Sequence, residues 1–158
     1  MTTSDQFRQV MGNFATGITV VTTRDNRREP RGLTVNAFTS VSLDPLLVLV
    51  CLDKKLSSLE AFENSKRFGV SMLSEHQEEL SRLFAQRESD RPASLYFEGK
   101  LGMPLLKNVL AVMECETVEI YSGGDHFIFL GEVKNAEVLQ VGQPLLYFRG
   151  KYRTLNAG

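Results

Sequence analysis

At 158 residues the chain has room for one domain of ordinary size, residues 1–158, and enough length to bury a true core. Eighteen basic and nineteen acidic side chains leave a formal charge of -1, and no basic cluster interleaved with aromatics occurs, which argues against a nucleic-acid partner. Two histidines and two cysteines, with no Cys-x-x-Cys pair, are too few ligands in too scattered an order for a metal centre.

The first ten residues, MTTSDQFRQV, lack a charged-then-apolar leader pattern. Residues 4–14 read as a helix capped by Ser4, with Phe7, Val10, Met11 and Phe14 at helical spacing on one face. GITVVTT (17–23) is β-branched and strand-like, RDNRREP is a polar turn, and residues 31–36 return, which makes a hairpin. Asp44-Pro45 sets the start of a strand over 46–52, expected to be fully buried; this longest apolar run is far too short to span a membrane. Ser57 or Ser58 caps a short helix through Glu63. RFGVSML (67–73) is a strand, and residues 75–85 form a helix with Leu80, Leu83 and Phe84 inward. QRESDRPAS (86–94) is a polar loop. Residues 111–120 alternate Met113, Cys115 and Thr117 against Glu114 and Glu116, a strand with one wet face. YSGGDH is a turn, 127–139 is one long strand or two bending at Gly131, and LLYFRG is a last strand before a short tail. Cys51 and Cys115 both lie in apolar strands, as buried thiols of a cytoplasmic protein would. About seven strands with two or three short helices in no strict alternation exclude a doubly wound sheet. They predict a mainly β (α+β) fold, an antiparallel barrel with short helices at its ends.

Familiar nucleotide and hydrolase signatures are missing: no G-x-G-x-x-G, P-loop, H-E-x-x-H or G-x-S-x-G occurs. Four stretches nevertheless stand out. Thr34, Val35, Asn36, Ala37 and Ser40 put small donors and acceptors at a strand end, as a flat ligand or simply turn chemistry would require. Lys54, Lys55, Ser57 and Ser58 sit at a helix start, suited to a phosphate or to plain capping. Gly123-Gly124 permits an unusual turn before His126 at the mouth of an apolar strand, a place for a ligand contact or for a structural histidine. Tyr147, Phe148 and Tyr152 could wall a flat ligand or pack a core or dimer face.

In this order (GLTVNAFTSVSLDP, a lysine-serine turn, RFGVSML, GGDHFIFLGEV, PLLYFRGKY) the segments resemble the short-chain flavin reductases, the reductase components of two-component flavin-dependent monooxygenases. The resemblance runs from Phe7 to Tyr152 and keeps the family's element as Gly124-Asp125-His126. Two departures are Asp44-Pro45-Leu46, where the family carries a proline pair, and Arg91-Pro92, where a basic residue is usually followed by an aromatic. The resemblance implies a split β-barrel of the FMN-binding type, a homodimer, FAD or FMN as flavin, and NADH ahead of NADPH as hydride donor. It implies that Thr34, Val35, Asn36, Ala37 and Ser40 line the flavin ring and ribityl chain, and that the backbone of Cys51 and Leu52 passes beneath. Ser57 and Ser58 would hold phosphate, helped by Lys54, Arg87 or Arg91. His126 and Tyr152 would flank the nicotinamide, His126 positioning it with no residue acting as acid or base. Reduced flavin would go to a separate oxygenase in the breakdown or biosynthesis of aromatic compounds. The rival readings are a non-catalytic flavin-binding electron carrier and a relative of pyridoxamine-phosphate oxidase.

Overall fold

The computed structural model describes residues 1–87 and 91–155, so the centre of the polar loop expected over 86–94 lies outside the described residues. The chain opens with α1 (Ser4–Met11), then β1 (Thr16–Gly17), β2 (Thr19–Arg24), β3 (Pro30–Val35), β4 (Phe38–Leu43) and β5 (Leu46–Asp53). Next come α2 (Leu59–Ser65), β6 (Arg67–Met72), α3 (Glu78–Ala85) and a 3-10 turn over Ala93–Leu95. The remainder is β7 (Tyr96–Glu98), β8 (Pro104–Leu106), β9 (Ala111–Gly123), β10 (His126–Val138), β11 (Leu145–Phe148) and β12 (Lys151–Thr154).

Seven strands form one antiparallel sheet in the order β3-β2-β6-β9-β10-β5-β4. Its two ends are therefore β3 and β4, neighbours in the chain, with no ladder between them. β1, β11 and β12 make a second small sheet, and β7 with β8 a hairpin. The fold is mainly β and antiparallel, as the strand count predicts. The alternating pattern of the central strands serves two cores. Val21, Val70 and Cys115 face one built around Phe62, Phe68 and Phe129. Val20 and Val112 face the other, around Phe84, Leu105 and Leu145. No helix among the described residues is long and apolar enough to cross a membrane.

Several expectations are corrected. α1 is capped by Thr3, not Ser4: Thr3 Oγ1 accepts from the Gln6 amide at 3.2 Å while Gln6 Oε1 accepts from the Thr3 amide at 2.9 Å, a reciprocal capping box. β5 is not fully buried: Val48, Val50 and Leu52 are, whereas Leu47, Leu49 and Cys51 on the opposite face are half-buried, because only one face of this strand meets the core. Glu114 is not on a wet face. The β7–β8 hairpin covers it, and its carboxylate, fully buried, accepts from the Leu101 and Met103 amides at 2.9 and 3.1 Å and from Asn135 Nδ2 at 3.2 Å. The residues after Asn36, read as a strand end, form an edge strand of their own, β4. β10 stays one strand through Gly131, with ladder irregularities at Leu130/Gly131 and Val133/Asn135. The tail contains β12, which pairs with β11.

Candidate functional site

β5 leaves the core at Asp53, and the chain turns sharply into α2. Asp53 Oδ1 accepts from the Lys55 amide at 2.8 Å and its carbonyl from the Leu56 amide at 3.0 Å, a side-chain-built turn. Ser58 is the residue before the helix, as expected, but its side chain caps nothing. Its Oγ is buried and has no partner among the described residues. Burying a hydroxyl without a bond costs about 1–3 kcal/mol, so this atom is available to a ligand or a water at the cavity wall.

Two cavities meet at this turn. One of about 420 Å3 is lined by Ser57, Ser58, Arg31, Asn64 and Arg87 among others. A second, of about 330 Å3, lies between β3 and α3 and is lined by Thr34, Lys55, Ser57 and Arg87 with Leu33 and Phe84. Ser57 and Arg87 line both, so a hydroxyl and a guanidinium stand where they join. Thr34 is fixed by its own bond: Oγ1 donates to the Ser81 carbonyl of α3 at 2.6 Å. Arg31 is held by Asp25 at 3.0 Å. Burial pushes the Asp25 carboxyl up, but amide bonds from Glu29 and Arg27, then the Arg31 guanidinium, outweigh it and leave the group below its usual range.

The tight β9–β10 turn places a second cluster next to the same segment. Gly124 adopts φ +67°, in the region glycine favours, and the Lys54 amide donates to the Asp125 carbonyl at 3.0 Å. Lys54 Nζ donates to Ser122 Oγ at 2.7 Å and sits 4.9 Å from the centre of the Phe127 ring. His126 Nδ1 lies 2.7 Å from Asp125 Oδ1. A carboxylate only accepts, so Nδ1–H donates and Nε2 is left clear of that bond. The hydrogen bond from His126, then its charge, holds the Asp125 carboxyl below its ordinary value.

The structure therefore gathers Thr34, Ser57, Ser58 and Arg87 round adjoining cavities and sets Lys54 and His126 beside them in sequence and ladder. Val35 and Leu52 are core residues. The Ala37 carbonyl accepts from the Cys51 amide at 3.1 Å, which ties the β3–β4 bend to β5. Asn36 lines a different space, a groove of about 520 Å3 with Phe14, Phe38, Thr39 and Leu145, while Ser40 is exposed on β4. Arg91 donates to the carbonyls of Gly32, Leu83 and Gln86 at 2.8, 3.5 and 3.2 Å and stacks 4.3 Å over Phe84, so it braces α3 against β3. Tyr152 belongs to the small sheet, bonded to Ser81 at 2.8 Å and packed on Tyr147 with Arg82 over its ring, and not to the β9–β10 turn that carries His126. Lys55, read with the lysine-serine turn as suited to a phosphate, lines the second cavity, whereas Arg31 went unassigned in the sequence although it lines the first. Its place at the head of the Thr34 strand was the available signal.

Residues 11–156 match the model of the flavin reductase like domain. The chain is 43% identical over 148 residues to a probable flavin reductase of Rhizobium meliloti, which covers 93% of this chain but of which the chain spans 47%. It is 40% identical over 149 residues to the reductase subunit of a flavin-dependent monooxygenase from Mycobacterium tuberculosis, covering 92% of this chain and 79% of the relative. The structure superposes with TM-score 0.90, at 39% identity, on the NADH:FAD oxidoreductase of Streptomyces globisporus solved with NAD and FAD fragments, covering 97% of this chain and 93% of that one.

Proposed function

Since the chain belongs to the flavin reductase like domain family, we propose that it is an NADH-dependent flavin reductase, built as a split barrel that pairs with a second copy. The observation that carries the site assignment is the Ser58 hydroxyl, buried without a partner at the wall of a cavity that also holds Ser57 and Arg87. Such an orphan fits a phosphate oxygen. Two hydroxyls and a guanidinium supply the neutral and charged donors that an anion needs once water is displaced. Thr34 and Lys55, lining the adjoining cavity, extend the polar wall away from the phosphate towards the body of the ligand.

When bound, the flavin, FAD or FMN, supplies the chemistry by accepting hydride from NADH, and the protein supplies binding, orientation and electrostatics. Asp125 holds the His126 ring through Nδ1 and leaves Nε2 to orient the nicotinamide. Lys54, locked on Ser122 and Phe127, keeps the β9–β10 turn fixed against the β5–α2 turn. No side chain need hold or move a proton for this reaction, since hydride passes from one cofactor to the other. The Mycobacterium relative, named as the reductase subunit of a monooxygenase, supports a role in delivering reduced flavin to a separate oxygenase.

The test is NADH consumption by the full chain with FAD or FMN added. Turnover is expected, and His126→Ala should raise the KM for NADH by about five- to hundredfold while flavin affinity stays within a few-fold. Tight flavin binding without NADH consumption would instead identify an electron carrier.

A further inference from the structure

Serine is an unfavourable choice in the middle of a short helix, because its hydroxyl competes with the backbone for hydrogen bonds. α3, EELSRLFA, nevertheless places Ser81 there, fully buried, and a buried hydroxyl needs a partner. That partner comes from near the far end of the chain: Ser81 Oγ lies 2.8 Å from the Tyr152 hydroxyl of β12. The next residue is held by the same side chain. The Arg82 guanidinium sits 4.8 Å from the centre of the Tyr152 ring and pairs with Glu78, one turn back, at 2.8 Å. Tyr147, the ladder partner of Tyr152 in β11, backs the ring edge-on at 5.5 Å. One tyrosine of the small sheet thus grips two consecutive residues of α3.

Ser81 also meets the large sheet. Its carbonyl accepts from Thr34 Oγ1 of β3 at 2.6 Å. Thr34 lines the cavity of about 330 Å3 between β3 and α3, and from the α3 side Phe84, Ala85, Gln86 and Arg87 line it too. Tyr152 is not one of the described residues on that wall. A helix is stiff over a single turn of about 5.4 Å, so the seat of Ser81 sets where the segment from Phe84 to Arg87 comes to rest. The contacts Tyr152–Ser81–Thr34 therefore run from the small sheet, through α3, to the cavity wall.

We infer that Tyr152 is a positioning residue for flavin binding: through Ser81 and Arg82 it seats α3 so that Thr34 and Arg87 line one cavity. The inference rests on the flavin reading above. It gives Tyr152 a different task from the nicotinamide contact that the family resemblance implies, and it gives Ser81, unassigned until now, the central place in the chain of contacts.

The test compares Tyr152→Phe, Ser81→Ala and the double variant in the full chain. Tyr152→Phe keeps the ring under Arg82 and loses only the hydroxyl. Ser81→Ala puts a better helix former in α3. The double variant leaves no hydroxyl unpaired, and removing both partners of a buried bond is close to neutral for stability, so its ligand-free melting temperature should stay near that of the unaltered protein. Each variant should raise the flavin dissociation constant about three- to tenfold, the size of one neutral hydrogen bond. The rise should be equal for FMN and FAD, because the cavity holds the part they share. It should be no larger in the double variant than in either single one, since all three break the same contact. The KM for NADH at saturating flavin should hold within about twofold. Unchanged flavin affinity would overturn the inference, and so would effects that add in the double variant. A raised KM for NADH with steady flavin affinity would return Tyr152 to the nicotinamide. Losses of flavin affinity that follow the melting temperature across the three variants would make the contact merely structural. If the unaltered protein binds neither flavin, the underlying reading fails, a result distinct from each of these.

Discussion

Ser58 shows how a single atom separates structure from function. A serine that only began a helix would bond a helix amide and leave no debt; here Oγ is buried and unbonded. Ser58→Ala should therefore leave the melting temperature of the ligand-free protein unchanged or raised, because an unsatisfied group costs about 1–3 kcal/mol. The same change should weaken flavin binding about tenfold, the worth of one hydrogen bond to a charged group. Thermal melts with and without flavin read both effects, and a fall in ligand-free stability would mean the hydroxyl has a structural role. The cysteines point the other way. Burial, then the neighbouring Glu114, pushes the Cys115 thiol up to about 12, and burial also raises Cys51. Neither forms thiolate near neutral pH, so Cys51→Ser and Cys115→Ser should keep NADH-dependent flavin reduction. In the folded protein a disulfide reagent should titrate Cys115 only after denaturant is added; rapid labelling would sink this view. At this scale the sequence revealed residues whose chemistry is local, such as the Gly124-Asp125-His126 turn and the Ser57-Ser58 pair. Arg91 and Tyr152 were not legible, because which carbonyls or hydroxyls a long polar side chain meets depends on α3, packed across from them.

β2, β5, β6, β9 and β10 were readable because each carries a β-branched or apolar run, or in β9 an alternating one, that a sheet in the core satisfies. β4, β7, β8 and β12 escaped. Three of these are three or four residues long, and β4 is an edge strand rich in hydroxyls, so none carries a pattern distinct from a loop. Glu114 escaped for a related reason: its partners are backbone amides of the β7–β8 hairpin, invisible to side-chain periodicity. The β2–β3 hairpin was legible, and its tip has a testable electrostatic design. Asp25 Oδ1 accepts from the Arg27 and Glu29 amides, each at 2.9 Å, while Oδ2 pairs with Arg31. Its carboxyl sits below the usual range in the fold. The stabilisation it provides is thus fully present above the unfolded carboxylate value of about 3.9 and is lost as pH falls through the lower folded value. Asp25→Asn should lower the melting temperature near pH 7 and lose that effect towards pH 3. An equal loss at both ends of this range would show that the hairpin depends on shape and not on the charge. Because Asp25 and Arg31 line the cavity that holds Ser58, loosening of this hairpin should also weaken flavin binding.

At the scale of the whole molecule the most consequential misfit is α1. The sequence spaces Phe7, Val10, Met11 and Phe14 as a core-facing helix over 4–14 would, yet α1 ends at Met11 with no buried residue, and these four side chains are 60%, 67%, 49% and 70% exposed. Helical periodicity tells that an apolar face exists; it does not tell whether the same chain or another covers it. Leu43 and Leu46, at the far edge of the large sheet, are also exposed, at 89% and 50%, beside a β4 edge with no strand beyond it. An apolar helix face and a bare greasy edge are aggregation hazards unless something covers them. A second copy of the chain is the occupant that the family resemblance and these surfaces favour. Sedimentation at micromolar concentration should then give about 35 kDa, twice the 17.7 kDa of one chain. Phe7→Ser/Phe14→Ser removes two large apolar contacts from each protomer without touching either core. Burying a phenylalanine is worth roughly 1.5–3 kcal/mol, so the double variant should dissociate at concentrations at least a hundredfold higher than the unaltered protein. Its circular dichroism should stay that of a folded β protein. An unaltered chain that sediments as a clean monomer would end the dimer proposal. A double variant that remains a tight dimer would move the interface from α1 to the β4 edge, where Leu43→Ser/Leu46→Ser should then separate the protomers.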